Sequence, residues 1–177
     1  SRPMVLTPTT SFRLARGLAS TAAGSSRPHL VVLLHGLHGE PSDMAFIHRR
    51  LLQGGHGRLH VLSAATAGDQ TDGIDAAGLR VAREIEAACD AIGPSGSLSI
   101  VAHSNGGLVG RWALGELLEP ATEARGLLDR WRPQLFLTLA SPHLGVFPFG
   151  LFWSERLVRR VASLGYFGTA GRQLALL

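Results

Sequence analysis

A serine hydroxyl is a useful nucleophile only when the chain holds it beside groups that stabilise the charge its attack creates. One serine in this sequence is set in such surroundings. Leu98-Ser99-Ile100-Val101-Ala102-His103 is an apolar, β-type run that drives into Ser104, and Asn105-Gly106-Gly107-Leu108-Val109-Gly110-Arg111-Trp112 then reads as a helix. This is the layout of a nucleophile elbow, where the turn from strand to helix is so sharp that the serine takes a strained backbone conformation. The positions two before and two after the serine must be small because backbones nearly touch there, and Ala102 and Gly106 meet that need. His103 and Gly106 would line the site. The Asn105 amide falls beside the hydroxyl at the start of the helix, where an unpaired N–H can receive a developing oxyanion.

A second donor is expected from the loop after an earlier strand. Leu30-Val31-Val32-Leu33-Leu34 is a continuous apolar run, typical of a strand buried on both faces, and it ends in His35-Gly36-Leu37-His38-Gly39. Gly36 allows close backbone approach, so the Leu37 amide is the natural partner of the Asn105 amide, with His35 and Gly36 lining the site. His35 and His38 do not read as a metal site, because no thiol or carboxylate stands nearby at ligand spacing. No metal and no cofactor is implied.

These segments resemble the lipase-like putative serine esterase family of eukaryotic α/β-hydrolases. The likeness runs from about His29 to the last residue. It includes His35-Gly36-Leu37-His38-Gly39 with Asp43 following, Thr71-Asp72-Gly73-Ile74-Asp75 and Gly78-Leu79-Arg80-Val81-Ala82-Arg83-Glu84-Ile85. It continues through the serine segment, Ala140-Ser141-Pro142-His143-Leu144-Gly145 and Gly171-Arg172-Gln173-Leu174. The family usually carries Gly and Leu where this chain has Ala102 and Asn105. Only the backbone amide after the serine is needed, so Asn105 changes the polarity of the site without removing the donor. The resemblance places His143 in a structural loop lining the pocket, not as the base.

The elements that must position these groups follow from periodicity. The pattern predicts strands over 30–34, 58–64, 98–102 and 134–139, with helices near 43–52 and over 75–91 and 105–118. Strands alternating with helices at this spacing argue a mostly parallel sheet with helices on both faces, which is an α/β-hydrolase fold. Gly93-Pro94-Ser95-Gly96 and Trp131-Arg132-Pro133 mark returns from helix to strand. Residues 66–75 form a Gly/Asp/Thr loop at the carboxyl end of a strand, the side on which α/β proteins place ligands. Asp72 and Asp75 either line a site there or, the favoured reading, one of them caps the next helix.

Composition sets the bounds. The 177 residues suffice for one domain with a sizeable core, and 45% are apolar. The single cysteine, Cys89, lies in an amphipathic helical pattern and reads as core. All 17 basic residues are arginine, and the net charge is +4. Residues 1–39 hold four arginines and no acid, whereas 40–177 hold 13 arginines against 13 acids. The excess charge is thus confined to the leader, which excludes a basic nucleic-acid groove on the folded part. Residues 1–27 are rich in Ser, Thr, Ala and Arg, the composition of an organellar (plastid or mitochondrial) transit peptide or, the slightly favoured reading, of a disordered leader with an early strand at Met4-Val5-Leu6. Residues 28–177 are then the N-terminal portion of the hydrolase domain. Leu135 to Trp153 carries no charge, but Pro142, Pro148, His143 and its glycines argue against a membrane-spanning helix. The aromatic patch Phe147, Phe149, Phe152 and Trp153, followed by an arginine-faced amphipathic pattern, makes 146–164 either a lid in peripheral contact with lipid or core packing. The expected setting is intracellular, soluble or peripheral to a membrane.

In α/β-hydrolases the chain order is serine, acid, histidine. After Ser104 the only histidine is His143, and none of Glu116, Glu119, Glu123, Asp129 or Glu155 ends a later strand. A domain truncated at its C-terminus is the expectation. The sequence therefore reads as a serine hydrolase of lipase or carboxylesterase type, with acyl esters of lipids as substrates. Its rival is a catalytically inactive hydrolase-fold fragment with only a binding role. A dinucleotide site fails, because the first glycine of that fingerprint falls on Asn105 and no acid ends the following strand at Leu139-Ala140.

Overall fold

The computed structural model describes residues 27–65, 67, 68, 70–118, 126–145 and 168–174. The N-terminal leader up to residue 26, the aromatic patch and the 146–164 segment lie outside the described residues. Four strands, β1 (His29–Leu34), β2 (Leu59–Ser63), β3 (Gly96–His103) and β4 (Trp131–Leu139), form one sheet in the order β2-β1-β3-β4. Every pairing is parallel. The connecting helices are α1 (Ala45–Gly54), α2 (Ile74–Ile92) and α3 (Gly106–Leu118), and a short α4 (Gly168–Leu174) follows the last strand.

Alternation along β1 decides the layering. Leu30, Val32 and Leu34 pack with Val81, Ile85 and Cys89 of α2 and with Val109, Ala113 and Leu117 of α3. Val31 and Leu33 point to the opposite face, where Met44 and the α1 residues Ile47 and Leu51 cover them. Helices therefore lie on both faces of a parallel sheet, and a strand buried on both sides reads as an unbroken apolar run. Alpha-helix α2 lies across α3 at one close contact: a Cβ on Gly78 would stand 2.6 Å from Cδ1 of Trp112. Only glycine leaves room for the Trp112 side chain there.

Most boundaries shift slightly from expectation, and the starts of β3 and β4 move for local reasons. β3 begins at Gly96 rather than 98, because Gly96 already pairs with Trp131 at the start of β4, and the buried ring of Trp131 fills the space a side chain at Gly96 would need. β4 begins at Trp131 and runs through Pro133, which the sequence reading treats as a breaker. Proline lacks an N–H for the ladder. The register absorbs this by pairing Leu98 with Pro133 and Ser99 with Leu135, which leaves Gln134 bulged.

The cap of α2 is also different. Neither Asp72 nor Asp75 caps it; Gly73 stands at the N-cap with no side-chain hydrogen bond. Gln173 of α4 does that work from across the chain. Its Oε1 accepts from the Ile74 N–H at 2.7 Å, and its Nε2 donates to Asp75 at 3.1 Å. This amide and the Ala76 N–H hold the Asp75 carboxyl below its ordinary range. Asp72 is instead paired with Arg80.

Cys89 is buried, and that burial pushes its thiol up to about 12. Its thiolate fraction at neutral pH is then about a thousandfold below that of an ordinary cysteine. The folded protein should resist Ellman's reagent on a timescale at which the urea-unfolded chain reacts fully. Equal rates in the two states would contradict this packing.

Candidate active site

The carboxyl ends of β1, β3 and β4 converge on Ser104. The parallel ladder runs one step past β3, because the Ser104 N–H donates to the Leu139 carbonyl of β4 at 2.8 Å. There the chain reverses: Ser104 has φ 53°, left-handed and rare for a residue with a side chain. Its carbonyl accepts from the Gly107 N–H at 3.0 Å, and the Asn105 carbonyl accepts from Val109, so α3 starts without a spacer. Ser104 is half-buried at this corner.

Gly106 is required for a reason the sequence places slightly wrongly. A Cβ there would meet the carbonyls of His35 and Leu34, the end of neighbouring β1, rather than the strand that Gly106 leaves. Gly107 is similarly pressed on Ser141 of the loop after β4, whose hydroxyl is buried with no partner among the described residues. Glycines thus let three segments share one small volume.

The loop after β1 comes equally close. A Cβ on Gly36 would lie 3.1 Å from Ser104 Cβ, 3.3 Å from His103 Nδ1 and 3.5 Å from Ser104 Oγ. The Gly36 carbonyl is turned into its own loop, where it accepts from the Gly39 N–H at 3.0 Å and from His35 Nδ1 at 2.9 Å. The next amides along, Leu37 on this loop and Asn105 after the serine, donate to no backbone carbonyl among the described residues. His103 is exposed beside the serine, and His35 is buried, with 1 % of its surface accessible.

Behind this corner lies a buried polar group that the sequence reading misses. Gln70, with no accessible surface and φ 63°, donates from Nε2 to the His35 carbonyl at 3.0 Å. Its Oε1 accepts from Asn105 Nδ2 at 2.8 Å. The 66–75 loop is indeed brought to the site, but through Gln70 rather than an aspartate. A polar, uncharged residue between glycine-rich turns at the end of a strand is a weak signal, and Asn105 in place of leucine is the other half of it.

His143 makes no hydrogen bond to the serine hydroxyl; its partners are Arg111 and Thr138. Arg111 donates to its Nδ1 at 3.3 Å, which leaves the proton on Nε2, and Nε2–H donates to Thr138 Oγ1 at 3.1 Å. His143 lines a cavity of about 360 Å³ with Ile74, Leu108, Arg111, Trp112 and Gln173, beside the first turns of α3. No described histidine is hydrogen-bonded to Ser104. Among the described residues, no group of three or more His, Cys, Asp or Glu is placed to hold a metal ion, and no helix is long and apolar enough to cross a membrane.

A parallel sheet covered on both faces, with a serine at a left-handed strand-to-helix corner, is the architecture of an α/β-hydrolase. The family described as Putative serine esterase (DUF676) matches residues 25–177, and the chain belongs to that family. It is 32% identical over 161 residues to a putative lipase of Schizosaccharomyces pombe, a match covering 86% of this chain and 20% of the relative. The chain thus spans about a fifth of that protein's length. The crystal structure of Aspergillus fumigatus lipase B superposes with a TM-score of 0.49 at 18% identity, covering 70% of this chain and 27% of the lipase.

Proposed function

We propose that this chain carries the nucleophile and oxyanion hole of a serine esterase acting on acyl esters with apolar chains. The observation that supports it is the corner itself. Ser104 is held at φ 53°, with Gly36 of the loop after β1 packed close to it, and the amides of Leu37 and Asn105 donate to no backbone carbonyl among the described residues. In the reaction, Ser104 Oγ forms a bond to the ester carbonyl carbon and gives its proton to a base. The carbonyl electrons move onto oxygen, where the two amides receive them. Collapse expels the alcohol and leaves an acyl-serine, which water then hydrolyses. The base and its orienting acid belong to residues other than His143, whose two ring nitrogens are already engaged.

The apolar part of the cavity beside α3, which Arg111, His143 and Gln173 also line, supports the substrate class. Ile74, Leu108 and Trp112 give the cavity its apolar walls. Hydrolysis of p-nitrophenyl esters, by the protein expressed from its complete reading frame, should quicken from acetate toward longer acyl chains. A strict preference for acetate, with no binding to liposomes, would overturn the lipid assignment and with it the membrane-contacting reading of residues 146–164. A binding role without turnover is the second reading, and the engagement of both His143 ring nitrogens by Arg111 and Thr138 favours it. A protein that binds long-chain esters without cleaving them would establish it.

A further inference from the structure

We infer that Gln70 is a positioning residue that sets the separation of the two oxyanion-hole amides. The inference rests on the serine-esterase reading above. A glutamine side chain carries two donors and one acceptor, and burying them is unfavourable unless they are matched. Here it is wholly buried and held in left-handed backbone, a second unfavourable condition. The surrounding structure must therefore over-determine it, and its two partners show what it holds. Nε2 grips the carbonyl of His35, two residues before Leu37. Oε1 receives the side chain of Asn105, the residue whose own backbone amide is the other donor. One planar amide thus bridges the two segments that supply the hole.

The polarity of the bridge fixes its orientation. The His35 carbonyl can only accept, so Nε2 must face it. Oε1 then faces Asn105, and Asn105 must present Nδ2, which leaves its Oδ1 without a partner among the described residues. No other rotation of either amide satisfies both contacts. β1 and α3 are otherwise joined here by apolar packing, Gly106 on the end of β1 and Gly110 on Leu34, which fixes no polar group in place. Amides aimed at an oxyanion lose most of their effect when displaced by about 1 Å, so the length of this bridge bears directly on turnover.

The test uses Gln70→Leu, which severs both contacts, and the near-isosteric Gln70→Glu, which keeps an acceptor for Asn105 but sets a carboxylate against the His35 carbonyl. Both are made in the protein expressed from its complete reading frame. For each, kcat and KM for a p-nitrophenyl ester, the unfolding midpoint and the Ki of an alkyl trifluoromethyl ketone are measured. That ketone forms a tetrahedral adduct with the serine and places an oxyanion in the hole. Both variants should lose about ten- to a hundredfold in kcat, with KM changed little and the ketone Ki raised by a similar factor. The double variant Gln70→Leu/Asn105→Leu should be no slower than Gln70→Leu alone. A folded Gln70→Glu protein with kcat within twofold of the parent would overturn the inference. So would a kcat that falls only in step with the unfolding midpoint while the ketone Ki stays fixed. If the unaltered protein neither turns over esters nor binds the ketone, the esterase reading itself fails, an outcome seen before any Gln70 variant is made.

Discussion

Replacing Ser104 with alanine should lower ester hydrolysis by about a millionfold, the loss typical when a hydrolase nucleophile is removed. The fold should hardly register the change. Alanine keeps the Cβ, and Ser104 Oγ is hydrogen-bonded to nothing among the described residues, so stability should shift by less than about 1 kcal/mol. The Ser104 N–H still reaches the Leu139 carbonyl, and the corner is preserved. Turnover and thermal unfolding, measured side by side, check both halves. An alanine variant that retains activity would remove Ser104 from the mechanism.

Gly36→Val carries the second-largest effect and separates the hole from the nucleophile. A Cβ at Gly36 already stands closer to Ser104 Cβ and His103 Nδ1 than side chains ordinarily pack, and valine adds two methyls beyond it. The loop must move away from Ser104 and take the Leu37 amide with it. Losing one oxyanion donor costs on the order of 3 kcal/mol of transition-state stabilisation, or a hundred- to a thousandfold in kcat. β1 ends at Leu34, and its core side chains, Leu30, Val32 and Leu34 on one face and Val31 and Leu33 on the other, all precede Gly36, so the loop can deflect without opening the core. The unfolding midpoint should therefore fall far less than activity does. Gly36→Ala should show the same pattern more weakly. Parallel loss of fold and turnover would mean that this loop is structural.

The parallel sheet was legible because its signals are local. Leu30 to Leu34 is an unbroken apolar run, and the α2 pattern repeats at 3.6 residues with its buried face at Ala77, Val81, Ile85 and Cys89. The serine corner was legible for the same reason, since a strand, a serine and two glycines sit within a dozen residues. What escaped depends on contacts distant in sequence. Gln173 caps α2 from 99 residues away, and no periodicity encodes that. Gln70 sits in a loop where the eye goes to Asp72 and Asp75, yet those charges are spent on Arg80 and Gln173. The start of β4 was missed because Pro133 reads as a stop, whereas a bulge opposite Leu98 and Ser99 lets the ladder pass it. His143 could be placed beside a pocket, but its bonding to Arg111 and Thr138 needed three elements assembled at once.

The most direct test is to react the protein, expressed from its complete reading frame, with a fluorophosphonate and to locate the adduct by mass spectrometry of its peptides. Phosphonylation requires both an activated serine hydroxyl and donors for the P–O⁻ oxygen, so it reads the nucleophile and the hole together. The adduct should fall on Ser104 alone, and labelling should vanish in Ser104→Ala. An adduct on any other residue, Ser141 included, or labelling that survives in the alanine variant, would contradict the assignment of Ser104 as the nucleophile.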